Sequence, residues 1–174
     1  AEHDVLASSV LLTTSETVAR QTAAALERQT AMRSRRDMIG RSLADNGLIV
    51  VCESLSSAAE IANQIAPEHL EIMAENPMAL LPKIRNAGSV FLGAYSPEPL
   101  GDYMAGPNHV LPTGGTARFM SPLSVDSFIK KSSFIMATPE LLRSLADDIV
   151  TLAENEGLDA HAAAVRIRQE IQPE

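Results

Sequence analysis

Three short apolar runs set the frame of this chain: VLASSVLLT (5–13), LIVVCE (48–53) and SVFLGAY (89–95). Each is rich in aliphatic and β-branched residues and is bounded by turn formers, so each reads as a buried strand. The stretches between them have helical spacing. Val18, Ala19, Ala23, Leu26 and Ala31 recur at helical intervals from Ser15 to about Ala44. Thr13 and Glu16 stand at capping-box spacing before this helix, and Asn46-Gly47 ends it. Ser56 and Ser57 precede a short helix, AAEIANQIA. Asn76-Pro77 opens another over PMALLPKIRNAG, closed by Gly88.

Strand, helix, strand, helix, strand is the sequence form of a parallel α/β unit. The fold class expected is α/β, a partial Rossmann-like parallel sheet with flanking helices. A helix near 125–131 and a short strand, SFIMA, follow. The tail then reads as a helical hairpin, 139–156 and 159–171, hinged at Gly157. This divides the chain into an incomplete α/β domain over 1–137 and a C-terminal helical tail over 138–174.

Composition narrows the function. Aromatics are 3% of the 174 residues and Trp is absent, so Ala, Leu, Ile, Val and Met must fill the core. No window approaches 18 consecutive apolar residues, which argues against a membrane span. A net charge of -8 argues against nucleic acid, whose affinity comes mainly from Lys and Arg on phosphate. The basic cluster Arg33, Arg35 and Arg36 reads as a solvated helix face. The single cysteine, Cys52, lies in an apolar run and reads as a buried thiol, which suits a reducing, cytoplasmic setting. Neither G-x-G-x-x-G after a strand nor G-x-x-x-x-G-K-[ST] is present, so nothing in the motifs supports a nucleotide site. The opening AEHDVLASS has no Met and no signal-like segment, and reads as a chain that begins inside a domain.

The chemically able residues gather elsewhere. LGDYMAGPNHVLPTGG (100–115) places Asp102, Tyr103, Asn108 and His109 among Gly and Pro, and irregular backbone of this kind is where catalytic groups collect. The four histidines, His3, His69, His109 and His161, all lie beside acidic or turn-forming residues. Imidazole and carboxylate together suit a zinc site or an acid/base step, although no short metal motif is present. Glu68-His69 follows Pro67, which can start a helical turn. There the His could shuttle protons and the Glu could activate water.

AEHD, APEHLE (66–71), GAYSPEPLGDYMAGPNHVLPTGGTARF (93–119), SPLSVDSFIKK (121–131) and LAENEGLDAHAAAVRIR (152–168) together resemble histidinol dehydrogenase over essentially the whole chain. The match is to the C-terminal part of that family. The resemblance implies oxidation of L-histidinol to L-histidine through the aldehyde, with two NAD and one zinc. It implies that Glu68 and His69 are the catalytic pair. It implies that His3, Asp102 and His161 ligate zinc, and that His109 and Glu156 join these ligands and His69 in holding the substrate. A fourth ligand, a Gln, would fall just before Ala1, and the NAD contacts further upstream. The resemblance further implies a homodimer in which the C-terminal segment brings Glu156 and His161 to the partner's Glu68 and His69. This stretch alone is then expected to be inactive. Two other readings fit parts of the sequence: a non-redox metal- or small-molecule-binding module on the same fold, and an acidic interaction domain whose helical tail docks a partner.

Overall fold

The computed structural model describes residues 1–170. The chain forms two compact units, residues 1–128 and 129–174, so the division falls ahead of the 137/138 boundary expected from sequence.

The first unit is α/β with short parallel strands. β1 (Ser9–Thr13) pairs in parallel with β2 (Gly47–Val51), Leu11 opposite Ile49. The connection between them is helical, but it is not one helix. α1 (Glu16–Ala31) and α2 (Arg36–Asn46) are separated by a turn. An unbroken helix over 15–44 would run about 45 Å, far past a strand of 5 residues. The break lets α2 come back over β1 and β2. The N-cap of α1 is Ser15, whose hydroxyl accepts from Val18 N–H. Thr13 instead turns its hydroxyl to Ser15 N–H at 3.2 Å, which displaces the capping box expected at Thr13 and Glu16.

α3 (Leu55–Ile65) opens on a reciprocal cap between Ser54 and Ser57 and buries Ala58, Ala59 and Ala62. Beyond it lies β3 (His69–Ile72), a strand not foreseen, because four residues of H-L-E-I alternation fell inside a stretch read for its Pro and Glu. β3 pairs in parallel with β4 (Ser89–Leu92), His69 opposite Ser89. The described strands thus make two sheets of two strands each, rather than one continuous sheet. The expected helix over 77–88 is a pair of 3-10 turns, Pro77–Ala79 and Leu81–Lys83. Pro82 inside the stretch denies the backbone a donor that a continuous α-helix would need.

Asn63 explains why these turns are ordered. Its side chain is buried and donates to Lys83 O at 2.8 Å. Its carbonyl oxygen accepts from Arg85 N–H at 2.7 Å and Asn86 N–H at 3.0 Å. One amide therefore satisfies three backbone groups. Replacing Asn63 by Ala strands them, and the expected loss is about 3 kcal/mol of unfolding free energy, to be read from urea denaturation midpoints.

α4 (Glu98–Tyr103) occupies the start of the segment expected to lack regular structure. The expected helix near 125–131 reduces to a 3-10 turn, Val125–Phe128.

The second unit is a helical hairpin of α5 (Pro139–Asn155) and α6 (Asp159–Gln169). Its last expected residue, Ile171, lies outside the described residues. Ala146, Ala153 and Ala162 are buried where the helices meet, small enough for close approach. Gly157, at φ 73°, makes the turn, and Arg166 pairs with Glu154 across it. SFIMA forms no strand, and Phe134, Ile135 and Met136 are more than nine-tenths exposed. A strand needs a neighbour for its N–H and C=O groups, and the other elements of this unit are helices.

Candidate functional site

The alternation of β3 sends His69 and Glu71 to one face and Leu70 and Ile72 to the other. The polar face meets α4. Glu71 accepts from Glu98 N–H at 2.9 Å, satisfying one of the donors that a helix leaves free at its start. This contact seats α4 beside His69. Gly101 allows the approach, since a Cβ there would lie 2.6 Å from the Phe91 ring. Phe91 in turn stands under the His69 ring, centroids 6.0 Å apart.

Glu98 and Asp102 are one helical turn apart on α4, so their carboxylates share a face. Both point at the same atom. His69 Nε2 lies 3.6 Å from Glu98 Oε1 and 3.8 Å from Asp102 Oδ1. All three side chains are about three-quarters buried. His69 Nε2 is shielded from solvent and has no hydrogen-bond partner. One imidazole nitrogen and two carboxylate oxygens, all within 4.8 Å of one another, form a donor set that can hold a cation.

The acidic pair carries strain. Burial, first, holds the Glu98 carboxyl above its ordinary range, and the hydrogen bond and charge of Asp102 push it further up. The charges of His69 and His3 pull it down. The segment from His3 to Ala7 is held through its backbone. Arg35 donates to His3 O at 3.4 Å, Asn46 to Val5 O at 3.0 Å and Ser42 to Ala7 O at 2.7 Å, all from in or beside α2.

Glu68 directly precedes His69 and is half-buried. Its backbone is fixed by Ser89 N–H, which donates to Glu68 O at 2.8 Å. The helical turn expected from Pro67 is absent: α3 ends at Ile65, and the chain passes through a left-handed Ala66 into β3. His109 is exposed, next to Asn108, which donates to Leu123 O. Glu156 and His161 lie on the second unit, both exposed, at the end of α5 and in the first turn of α6. In the first unit the structure brings together His69, Glu98 and Asp102, and Glu68 lies directly before His69 in the chain.

Glu98 is the residue that sequence reasoning missed. Its signal was the E-x-x-x-D spacing in EPLGD, which becomes informative once those residues are helical. A cleft of about 320 Å³ adjoins the cluster, lined by Phe91, Ser96, Gly101, Asp102 and Asn108. A larger groove of about 800 Å³ lies on the other sheet between α1, α2, β1 and β2, and none of the expected site residues lines it.

Known proteins resemble this chain along almost its full length. The profile of the family described as Histidinol dehydrogenase matches residues 1–169. Proteins named histidinol dehydrogenase from Caldanaerobacter subterraneus and Clostridium acetobutylicum are 55% and 54% identical over 168 residues, 97% of this chain. The chain spans 39% of the length of each. The crystal structure of histidinol dehydrogenase from Elizabethkingia anophelis superposes with a TM-score of 0.80 at 40% identity, covering 97% of this chain and 39% of that one. With so long a match at such identity, this chain belongs to the histidinol dehydrogenase family.

Proposed function

We propose that this chain is the part of a histidinol dehydrogenase that carries the catalytic pair and most of the metal-binding side chains, in an enzyme oxidising L-histidinol to L-histidine through the aldehyde. The observation that carries the reading is His69 Nε2, buried, without a partner and facing Asp102 and Glu98. A polar atom left bare in such a place is costly unless a ligand or cation satisfies it.

His3, Asp102 and His161 would hold zinc, which when bound supplies a Lewis acid and an orienting centre for the amino alcohol. The donor types suit that ion. NAD, when bound, would supply the hydride acceptor, and its contacts would fall in the length of the relatives that this chain does not span. The chain's own residues do the proton chemistry. In the first oxidation His69 accepts the hydroxyl proton as the carbinol carbon loses hydride. Glu68 then draws a proton from water, which adds to the aldehyde carbon. In the second oxidation the hydrated carbon loses hydride and His69, having released its first proton to solvent, takes a hydroxyl proton, which leaves the carboxylate. His109 holds the polar groups of the substrate. Glu156 and His161 complete the site from a second subunit of a cytoplasmic homodimer.

The test is NADH production from L-histidinol, followed by absorbance. A protein joining this chain to the remaining length of its relatives should turn over, and the 174-residue chain alone should not. A silent full-length protein that binds zinc would overturn the redox reading in favour of a binding module. Turnover by the 174 residues alone would overturn the placement of the NAD contacts.

A further inference from the structure

The TGGTAR stretch (113–118) takes no part in the chemistry above, yet its arginine reaches the helix that leads into Glu68 and His69. Arg118 donates through Nη1 to Gly115 O at 2.8 Å and through Nη2 to Gln64 O, near the end of α3. The last carbonyls of a helix lack partners along the helix. At α3 they are taken up in succession. Ala62 O accepts from Ala66 N–H at 2.9 Å, Asn63 O from Asn86 Nδ2 at 2.9 Å, and Gln64 O from Arg118. A guanidinium there also meets the negative end of the helix dipole.

The next turn of chain is under constraint. Ala66 is wholly buried, with φ 53° and ψ 62°. It is the only non-glycine residue with positive φ among the described residues. Backbone of that kind persists where its surroundings over-determine it. From Ala66 the chain runs through Pro67 to Glu68 and His69. Gly88 N–H donates to Pro67 O at 2.9 Å and Ser89 N–H to Glu68 O at 2.8 Å.

Gly115 belongs to the same device. Its φ is 80°, and a Cβ on it would lie 2.3 Å from Arg118 Nη1. Glycine at 115 lets the guanidinium close on that turn, whereas a Cβ on Gly114 would meet open space.

We propose that Arg118 is a positioning residue: its guanidinium clamps the end of α3 to the 113–118 turn and so fixes the backbone from which Glu68 and His69 project. The inference rests on the reading of those two as the catalytic pair. Its backbone half stands without that reading.

The experiment compares Arg118→Met, which keeps the stem and loses the guanidinium, with Arg118→Lys, which keeps charge but not the fork. On the 174-residue chain, amide exchange at Ala66, Gly88 and Ser89 is expected to quicken about fivefold in R118M, with R118K between. The Cys52 amide, bonded to Thr13 O on the other sheet, should be unchanged. The His69 ring resonances should shift in step. Gly115→Ala, which forces the guanidinium away, should give the same pattern. In the full-length protein kcat for histidinol should fall about tenfold at unchanged KM, partly restored by lysine.

Equal quickening at Cys52 would show plain destabilisation and overturn the proposal. So would unchanged exchange at the three amides, still His69 resonances, or full kcat despite quickened exchange. If the wild-type protein never oxidises histidinol, the functional reading fails, and the exchange and ring data still decide the clamp.

Discussion

Replacing His69 by Asn in the full-length protein is expected to lower kcat for histidinol oxidation by about 10²–10⁴-fold, with zinc content unchanged. The size follows from the role. In the proposed mechanism His69 takes a proton in both oxidations, so each step would lose its base. Zinc retention is the sharper half, because the geometry leaves two roles open to this imidazole. Nε2 sits within a set of donor atoms that spans no more than 4.8 Å with Glu98 and Asp102, so it could ligate. The resemblance assigns the metal to His3, Asp102 and His161 and leaves His69 free to move protons. Metal analysis of dialysed His69→Asn protein, beside stopped-flow rates, separates the two. Loss of zinc in parallel with rate would make His69 a ligand and overturn its assignment as base.

Replacing Asp102 by Asn should weaken zinc binding about 100-fold or more, judged against the 10–100-fold cost of disturbing even the supporting shell of a metal ligand. Competition with a chromophoric chelator measures it. The metal-free protein should respond in the opposite sense. Asp102 raises the Glu98 carboxyl by hydrogen bond and charge, after burial. The folded chain therefore keeps the Glu98 proton to higher pH than the unfolded chain does. Stability falls as pH rises through that window, and recovers below the unfolded value. Asparagine at 102 removes the like charge, so the metal-free variant should unfold no more easily than wild type and lose less stability on going from mildly acidic to neutral pH. Thermal melts with and without chelator across that range check both signs. A variant that binds zinc as tightly as wild type would remove Asp102 from the metal site.

The two predictions draw on different kinds of information. Strand identity at β1, β2 and β4 was legible, because apolar β-branched runs bounded by turn formers have few alternatives. The C-terminal hairpin was legible from its long amphipathic periodicity and the glycine at 157. The proposal of Glu68, His69 and Asp102 as site residues comes from resemblance to the family, carried by a long and specific loop. What escaped was short or dependent on neighbours. β3 is only four residues, and its pairing with β4 decides that it is a strand at all. α4 has six residues and holds together because Glu71 caps it and Gly101 lies against Phe91. Glu98 could be noticed only after α4 existed. SFIMA has the composition of a strand, and strand geometry still requires an adjacent edge, which its own unit does not offer.

Sequence by itself determined which segments are apolar, the bounds of α3, α5 and α6 to within a turn, and the chemical types available to a site. Those depend on side-chain sterics and on interactions a few residues apart. The tertiary structure alone decided that His69, Glu98 and Asp102 converge, that Ala66 bends left-handed before Glu68 and His69, and that Arg118 reaches α3. Each of these depends on contacts between residues tens of positions apart, formed only once packing has already fixed the elements that carry them.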